Sequence, residues 1–237
     1  MKLSDFKGLF NNTNIKLVEK KQDTSDIFIF TFELAKKTQW KPGQHGIFKF
    51  KGEKMQGKNF RVFSISSVSE ENKIIIGTRI TENPSEFKKK LKAMNIGDTM
   101  SMTGPIGWFY INNYGRPIAL IAGGVGITPI RALLKDLEVN AQITKTVEVF
   151  YSDNKSEYAF QSDLKYFDEK YDFIKVNYIN NRENLQDKLN SFRSKYGNEA
   201  SYFISGAPKM VTSLKSQLKE NGIKNNNILT DPYNGYL

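Results

Sequence analysis

Cysteine is absent from the 237 residues, and histidine occurs once, at His45. The first absence removes disulfides, thiolate zinc sites, cysteine nucleophiles and cysteine-ligated iron–sulfur clusters from this chain. The second argues against a serine–histidine triad or a multi-histidine metal site. Long apolar runs are missing too: the longest stretches reach about six residues, far short of the ~20 that cross a bilayer. Met1 to Phe10 alternates charge with single apolar residues and lacks a signal-peptide core. The expectation is a soluble, cytoplasmic chain with no stable membrane insertion.

What is present points to a folded protein. Hydrophobic residues make up 39% and aromatics 13%, a content that disordered chains do not carry. At about 150 residues per domain, the length suits one large domain or two small ones. Charge is the unusual quantity, with 35 Lys and Arg against 25 Asp and Glu, or +10. Such an excess attracts nucleic acid, an anionic membrane or an acidic protein. The lysines are spread along the chain, as at Lys88, Lys89, Lys90 and Lys92 or Lys215 and Lys219, which reads as solvated faces. No basic stripe interleaves with aromatics, so nucleic acid is not expected as a partner.

The pattern changes near residues 112–117. Before it the apolar period is short: Ile27–Leu34 puts Ile27, Ile29 and Thr31 on one strand face and Phe28, Phe30 and Phe32 on the other. Gly46–Phe50, Arg61–Ile65, Lys73–Ile80 and Asp98–Thr103 read as further strands, separated by turn residues, with one helix at Pro84–Met94. Short strands of this kind make a small antiparallel barrel or sandwich. After residue 117 strand and helix alternate: Ile118–Ala122, Thr128–Leu137, Thr146–Tyr151, Glu157–Lys170, Phe173–Ile179, Leu185–Tyr196, Tyr202–Ile204 and Lys209–Asn221. Alternation implies a parallel sheet covered by helices. The expected domains are 1–113 and 114–237.

The strongest local signal is the run Ala119 to Ile130, an apolar strand leading into Gly123, Gly124 and Gly126 and then a helix start. Thr128 is a good N-cap and Pro129 a good first helical residue. Glycines allow close approach of a ligand to the backbone, and helix-start N–H groups attract a pyrophosphate. The spacing is G-G-x-G-x-T-P, not the G-x-G-x-x-G dinucleotide fingerprint. It resembles the ferredoxin–NADP reductase superfamily, and other segments share the resemblance in order. Trp40-Lys41-Pro42-Gly43-Gln44-His45 is similar to the family's P-G-Q turn. Arg61-Val62-Phe63-Ser64-Ile65-Ser66-Ser67 is similar to its R-x-Y-S-x-x-S flavin motif. Gly97-Asp98 with Gly104-Pro105-Ile106-Gly107-Trp108-Phe109 is similar to its closing strand. Ser205-Gly206-Ala207-Pro208 stands where the family has C-G-P-P, and Tyr233-Asn234-Gly235-Tyr236 resembles its terminal F-x-G-Y.

The resemblance implies a six-stranded antiparallel FAD-binding β-barrel with one capping helix, then a NAD(P)-binding α/β domain with a five-stranded parallel sheet. It implies a flavoprotein reductase in which Arg61 meets the FAD pyrophosphate, Ser64 lies beside the flavin N5, and Ser85 starts a helix that receives the phosphates. Val62, Phe63 and Ser67 accompany them, with Phe63 in place of a tyrosine that packs on the isoalloxazine. The family's G-x-x-S is here Glu82-Asn83-Pro84-Ser85, which leaves FMN as an alternative to FAD. Gly123, Gly124, Gly126, Thr128 and Gly206 are implied in nicotinamide coenzyme binding. Ser205 replaces the cysteine near the nicotinamide C4, and Tyr233 and Tyr236 are candidates for covering the flavin. After Thr146–Tyr151, relatives preferring NADPH tend to carry arginine where this chain has Asn154. Asp153 beside it suits a free ribose 2′-hydroxyl, so NADH is favoured, with Lys155 keeping NADPH open. His45 is read as packing or flavin-edge.

No metal is expected, and the electron acceptor is separate: ferredoxin, flavodoxin, an oxygenase component, free flavin or a ferric chelate. The +10 charge favours an acidic redox protein. The rival from another class is a nucleotide- or flavin-binding module without turnover.

Overall fold

The computed structural model of the protein describes residues 3–52 and 55–232. The chain divides into two units, Met1–Tyr110 and Ile111–Leu237, close to the expected 113/114. Tyr110 goes with the first unit because its hydroxyl donates to the buried Asp5 carboxylate at 2.8 Å.

The first unit holds β1 (Asn12–Gln22), β2 (Ile27–Leu34), β3 (His45–Lys49), β4 (Phe60–Ser64), β5 (Lys73–Arg79), α1 (Glu86–Ala93) and β6 (Thr99–Ile106). The strands run antiparallel in the order β4-β3-β6-β1-β2-β5. An Ile65–Ile76 bridge joins the ends of that series, closing it as a barrel. Phe28, Phe30 and Phe32 enter the core cluster with Phe48, Phe63 and Phe87. The opposite face of β2 is buried too, with Ile27 and Ile29 under 5% exposed, so this strand is not half-solvated as simple alternation suggests. α1 caps the barrel with Phe87 and Leu91, the Phe87 ring 5.0 Å from Phe50. Lys20 donates to the carbonyls of Lys92 (3.0 Å) and Met94 (2.6 Å), placing a cation where the helix dipole is negative.

β1 is the strand that sequence reading misses. It sends only Ile15 and Leu17 fully inward, and a register shift between Leu17 and Glu19 interrupts its two-residue period. Ahead of it, Leu3–Phe10 forms 3-10 turns.

The second unit contains β7 (Ile118–Gly123), α2 (Ile127–Val139), β8 (Val147–Ser152), α3 (Gln161–Lys170), β9 (Ile174–Ile179), α4 (Arg182–Tyr196), β10 (Ser201–Gly206), α5 (Pro208–Glu220) and β11 (Ile228–Pro232). The sheet is five-stranded and parallel, in the order β11-β10-β7-β8-β9. β7 is buried from Ile118 to Ala122, as the central strand of a doubly covered sheet must be. α3 starts four residues later than expected, because Ser156 and Phe160 adopt left-handed φ of 55° and 57°.

A polar cluster ties α2 to α3. Glu138 accepts from Tyr166 (2.7 Å), Tyr171 (2.8 Å), Lys170 (3.2 Å) and Lys135 (3.2 Å). Burial works to raise its pKa, but the hydrogen bonds from these groups prevail and bring it from 4.5 down to about 2. A depressed carboxylate contributes stability that is present above its unfolded pKa and lost as pH falls through the folded one. Glu138→Gln is therefore expected to lower stability at pH 7 by about 1 kcal/mol, roughly 2–4 °C in Tm. The gap to wild type should close as pH drops from above 4.5 towards about 2 in thermal melts. An equal deficit across that range would show that the charge is not the cause.

Candidate active site

In the barrel, the candidate residues lie on β4, on the turn before β3 and at the start of α1. Gly43 takes φ +91°, which turns the chain into β3. The buried Gln44 holds that turn: its side-chain oxygen accepts from the Lys41 N–H at 3.0 Å, and its amide donates to the Gly107 carbonyl at 3.1 Å. His45 is half-buried and desolvation lowers its pKa below 6.5. It stands opposite Ser64 in the β3–β4 register and opposite Ile106 in β3–β6.

β4 presents its candidates unevenly. The Arg61 guanidinium donates to the carbonyls of Lys58 (2.9 Å) and Phe60 (2.7 Å) and lies 5.4 Å from the Phe87 ring centre. It is thus held at the barrel rim beside α1. Val62 is 46% exposed, whereas Phe63 is buried edge-on against Phe48 at 5.4 Å. The exposed apolar side chains of β4 are therefore Phe60 and Val62, and Phe63 serves the core. Ser64 is buried at the end of the strand. Ser67 is occupied internally: its hydroxyl donates to the Lys73 carbonyl (2.7 Å) and accepts from the Ile75 N–H (3.1 Å). Those bonds tie the chain just after β4 to β5. Ser85 occupies the N-cap position of α1, exposed, and its hydroxyl makes no capping bond. A guanidinium and a helix N-terminus form a donor set that fits the pyrophosphate of a flavin dinucleotide, and an exposed apolar side chain beside them fits its ring.

In the second unit, Gly123, Gly124 and Val125 are half-buried, and Gly124 takes φ +52°. Gly126 is also required by packing. A Cβ there would lie 2.2 Å from the Ser205 carbonyl oxygen and 2.7 Å from the Gly206 nitrogen, so Gly126 lets the loop press on the end of β10. Thr128 is not the N-cap. Gly126 holds that position, and the buried Thr128 hydroxyl donates back to the Val125 carbonyl at 2.7 Å. The threonine thus ties the glycine loop to the first turn of α2.

Ser205 is fully buried, and its hydroxyl has no hydrogen-bond partner. An orphaned buried hydroxyl costs about 1–3 kcal/mol. Its place at the carboxyl end of β10 is where open α/β sheets bind ligands, so the group fits a polar partner arriving with a coenzyme. Gly206 follows, with φ +156°. Met210 is the residue that sequence reading misses here: a Cβ on Gly123 would meet its sulfur at 2.3 Å, so the thioether covers both Gly123 and Gly206. Only its place in the first turn after the Ser205–Pro208 motif marked it.

Asp153 also departs from expectation. It is 6% exposed, and its Oδ1 accepts from the N–H groups of Lys155 (2.8 Å) and Glu157 (3.4 Å). The carboxylate builds its own turn, and the exposed tip is Asn154, Lys155 and Ser156. Tyr233 and Tyr236 lie outside the described residues.

Residues 14–111 match the oxidoreductase FAD-binding domain family, and residues 120–216 match the oxidoreductase NAD-binding domain family. The chain belongs to the ferredoxin–NADP reductase superfamily. Its six-stranded barrel and five-stranded parallel sheet are the two-domain fold of that superfamily. It is similar to the plasma membrane-associated coenzyme Q6 reductase PGA3 of Saccharomyces cerevisiae, 26% identical over 60% of this chain and 49% of that protein. It is also similar to one component of the Na(+)-translocating NADH-quinone reductase of Actinobacillus pleuropneumoniae, 23% identical over 74% of this chain and 49% of that component. The chain thus spans about half the length of these two relatives. Among solved structures, ferredoxin–NADP+ reductase from Plasmodium falciparum superposes with a TM-score of 0.78 at 18% identity, covering 94% of this chain and 96% of that one. Among the described residues, no helix is long and apolar enough to cross a membrane.

Proposed function

We propose that this member of the superfamily is a flavoprotein reductase that moves a hydride from NAD(P)H, NADH favoured, to bound FAD and delivers electrons to a separate acceptor. The observation that carries the reading is a half-site in each unit: the Arg61–α1 rim in the barrel, and the glycine loop beside the orphaned Ser205 hydroxyl in the α/β unit. FAD, when bound, supplies the redox chemistry, and the chain supplies binding and alignment. In this reading Arg61 and the α1 start hold the pyrophosphate. Val62 packs on the flavin and Ser64 bonds its edge, while Gly123 and Gly124 admit the coenzyme phosphates. Ser205 gives its hydroxyl to the nicotinamide end. Tyr233 and Tyr236 keep their assignment as flavin-covering candidates.

Coenzyme choice rests on the β8 tip. Asn154 stands there in place of arginine, and the Asp153 charge sits just beneath, held by two backbone amides. A 2′-phosphate would meet that charge, and Lys155 offsets part of it. We expect kcat/KM to be about tenfold higher with NADH, the worth of one weak charge contact. Lys155→Ala should widen the gap. A wild-type preference for NADPH would overturn this assignment.

The acceptor is expected to be an acidic redox protein. Residues Met1–Tyr110 carry 19 Lys and Arg against 11 Asp and Glu, while Ile111–Leu237 carry 16 against 14. The barrel unit therefore holds +8 of the +10, which favours electrostatic steering of an acidic partner to that side. Electron transfer to an acidic ferredoxin or flavodoxin should slow steeply between 50 and 300 mM salt, about tenfold or more. A salt-independent rate would instead favour a neutral acceptor such as a quinone, the substrate class in the names of both relatives above.

A further inference from the structure

The barrel unit has an element outside the family match, which begins at residue 14: the turns of Leu3–Phe10. These turns are anchored rather than loosely attached. The Asp5 carbonyl accepts from the Gly107 N–H at 3.0 Å, and its carboxylate accepts from the Tyr110 hydroxyl at 2.8 Å. One residue thus holds both ends of the segment Gly107–Tyr110. Asp5 is 2% exposed and Tyr110 6%, and the Lys41 ammonium covers the Tyr110 ring at 3.9 Å. Gly8 sits so close to β6 that a Cβ would lie 1.9 Å from the Pro105 carbonyl oxygen, and Phe6 packs on Trp108 with ring centres 6.0 Å apart.

The segment held by Asp5 leads to the flavin corner. Gly107 accepts from the Gln44 side chain at 3.1 Å, and a Cβ on Gly107 would come within 2.8 Å of the His45 ring. The Gln44 carbonyl in turn accepts from the Ile65 N–H at 2.9 Å, and His45 faces Ser64 across β3–β4. We propose that Asp5 and Tyr110 are positioning residues for the flavin site, acting through Gly107 on Gln44 and His45 and so on Ser64. This rests on the assignment of FAD to the barrel. A buried carboxylate–phenol pair is chosen over a hydrophobic contact because hydrogen bonds fix the position of residues 107–110 in direction as well as distance. A shift of the Gly107 backbone moves the Gln44 amide directly, and close packing transmits such shifts.

The test is FAD titration by fluorescence quenching of full-length wild type, Tyr110→Phe and Asp5→Ala. It is read with the visible spectrum of the bound flavin and the melting temperature of each protein. Tyr110→Phe, which removes only the hydroxyl, should weaken FAD about threefold and shift the spectrum. Asp5→Ala should weaken FAD about tenfold, the scale of one lost charge-assisted bond. NAD+ affinity should stay unchanged, since the second unit makes none of these contacts. Lower melting temperatures with unchanged FAD affinity and spectrum would overturn the proposal and leave the pair a stability element. If Asp5→Ala does not fold, Tyr110→Phe decides alone. A wild type that binds no FAD would overturn the flavin assignment itself, a result distinct from variants that bind like wild type.

Discussion

Gly126→Ala is expected to abolish NAD(P)H-driven reduction, at least a hundredfold in kcat/KM, while FAD binding survives. A methyl at this position would stand 2.2 Å from the Ser205 carbonyl oxygen and 2.5 Å from its carbon. Both are backbone atoms of β10, a strand paired on both sides, and cannot turn aside as a side chain would. The loop between β7 and α2 must then lift from the end of β10, taking with it the Val125 carbonyl to which Thr128 is tied. Overpacking of this kind costs about 3 kcal/mol, so the second unit should also melt earlier. Gly124→Ala should also slow reduction, because Gly124 is assigned to admit the coenzyme phosphates and its φ of +52° adds about 1 kcal/mol of strain. Stopped-flow reduction, FAD titration and thermal melts on both variants separate the effects. Gly126→Ala with wild-type turnover and melting would contradict the packing at the end of β10.

Arg61→Ala should carry the second large effect, a tenfold to hundredfold loss of FAD affinity. That is the worth of about 1.5–3 kcal/mol for a hydrogen bond to a charged group. The apo barrel should lose little stability. The guanidinium donates to the carbonyls of Lys58 and Phe60 at the rim, where water can replace it. Arg61→Lys should recover only part of the affinity, because an ammonium lacks the planar fork that fits a phosphate. Equilibrium dialysis gives the dissociation constants directly. Full flavin retention by Arg61→Ala would move the pyrophosphate away from this rim.

Much of this architecture is legible in the residues, for identifiable reasons. β7 and the glycine loop are plain because a doubly covered central strand must be apolar throughout and the turn after it needs glycine. β2 is equally plain in its run of isoleucine and phenylalanine. Where reading fails, a side chain is claimed by a contact that its residue type alone does not reveal. Thr128 has the chemistry of an N-cap, but its hydroxyl is claimed by Val125 and the N-cap lies two residues earlier, at Gly126. Asp153 has the charge to meet a ribose, but the shorter path is to the amides of its own turn. Ser67 sits in the flavin motif yet bonds across to β5, and Phe63 turns inward because Phe48 and Phe87 leave an aromatic pocket for it. The Asp5–Tyr110 pair spans 105 residues, so no local pattern announces it. The orphaned state of Ser205 is likewise invisible until the end of β10 is seen to be closed by Gly126 and Gly206.

The most direct test of the central reading is anaerobic mixing of the FAD-loaded full chain with NADH while its visible absorbance is followed. Loss of the oxidised flavin band within seconds, with one NADH consumed per flavin and recovery on adding an acceptor, is the predicted result. A chain that binds FAD but keeps its band unchanged under excess NADH and NADPH would contradict the account and leave a binding module without turnover.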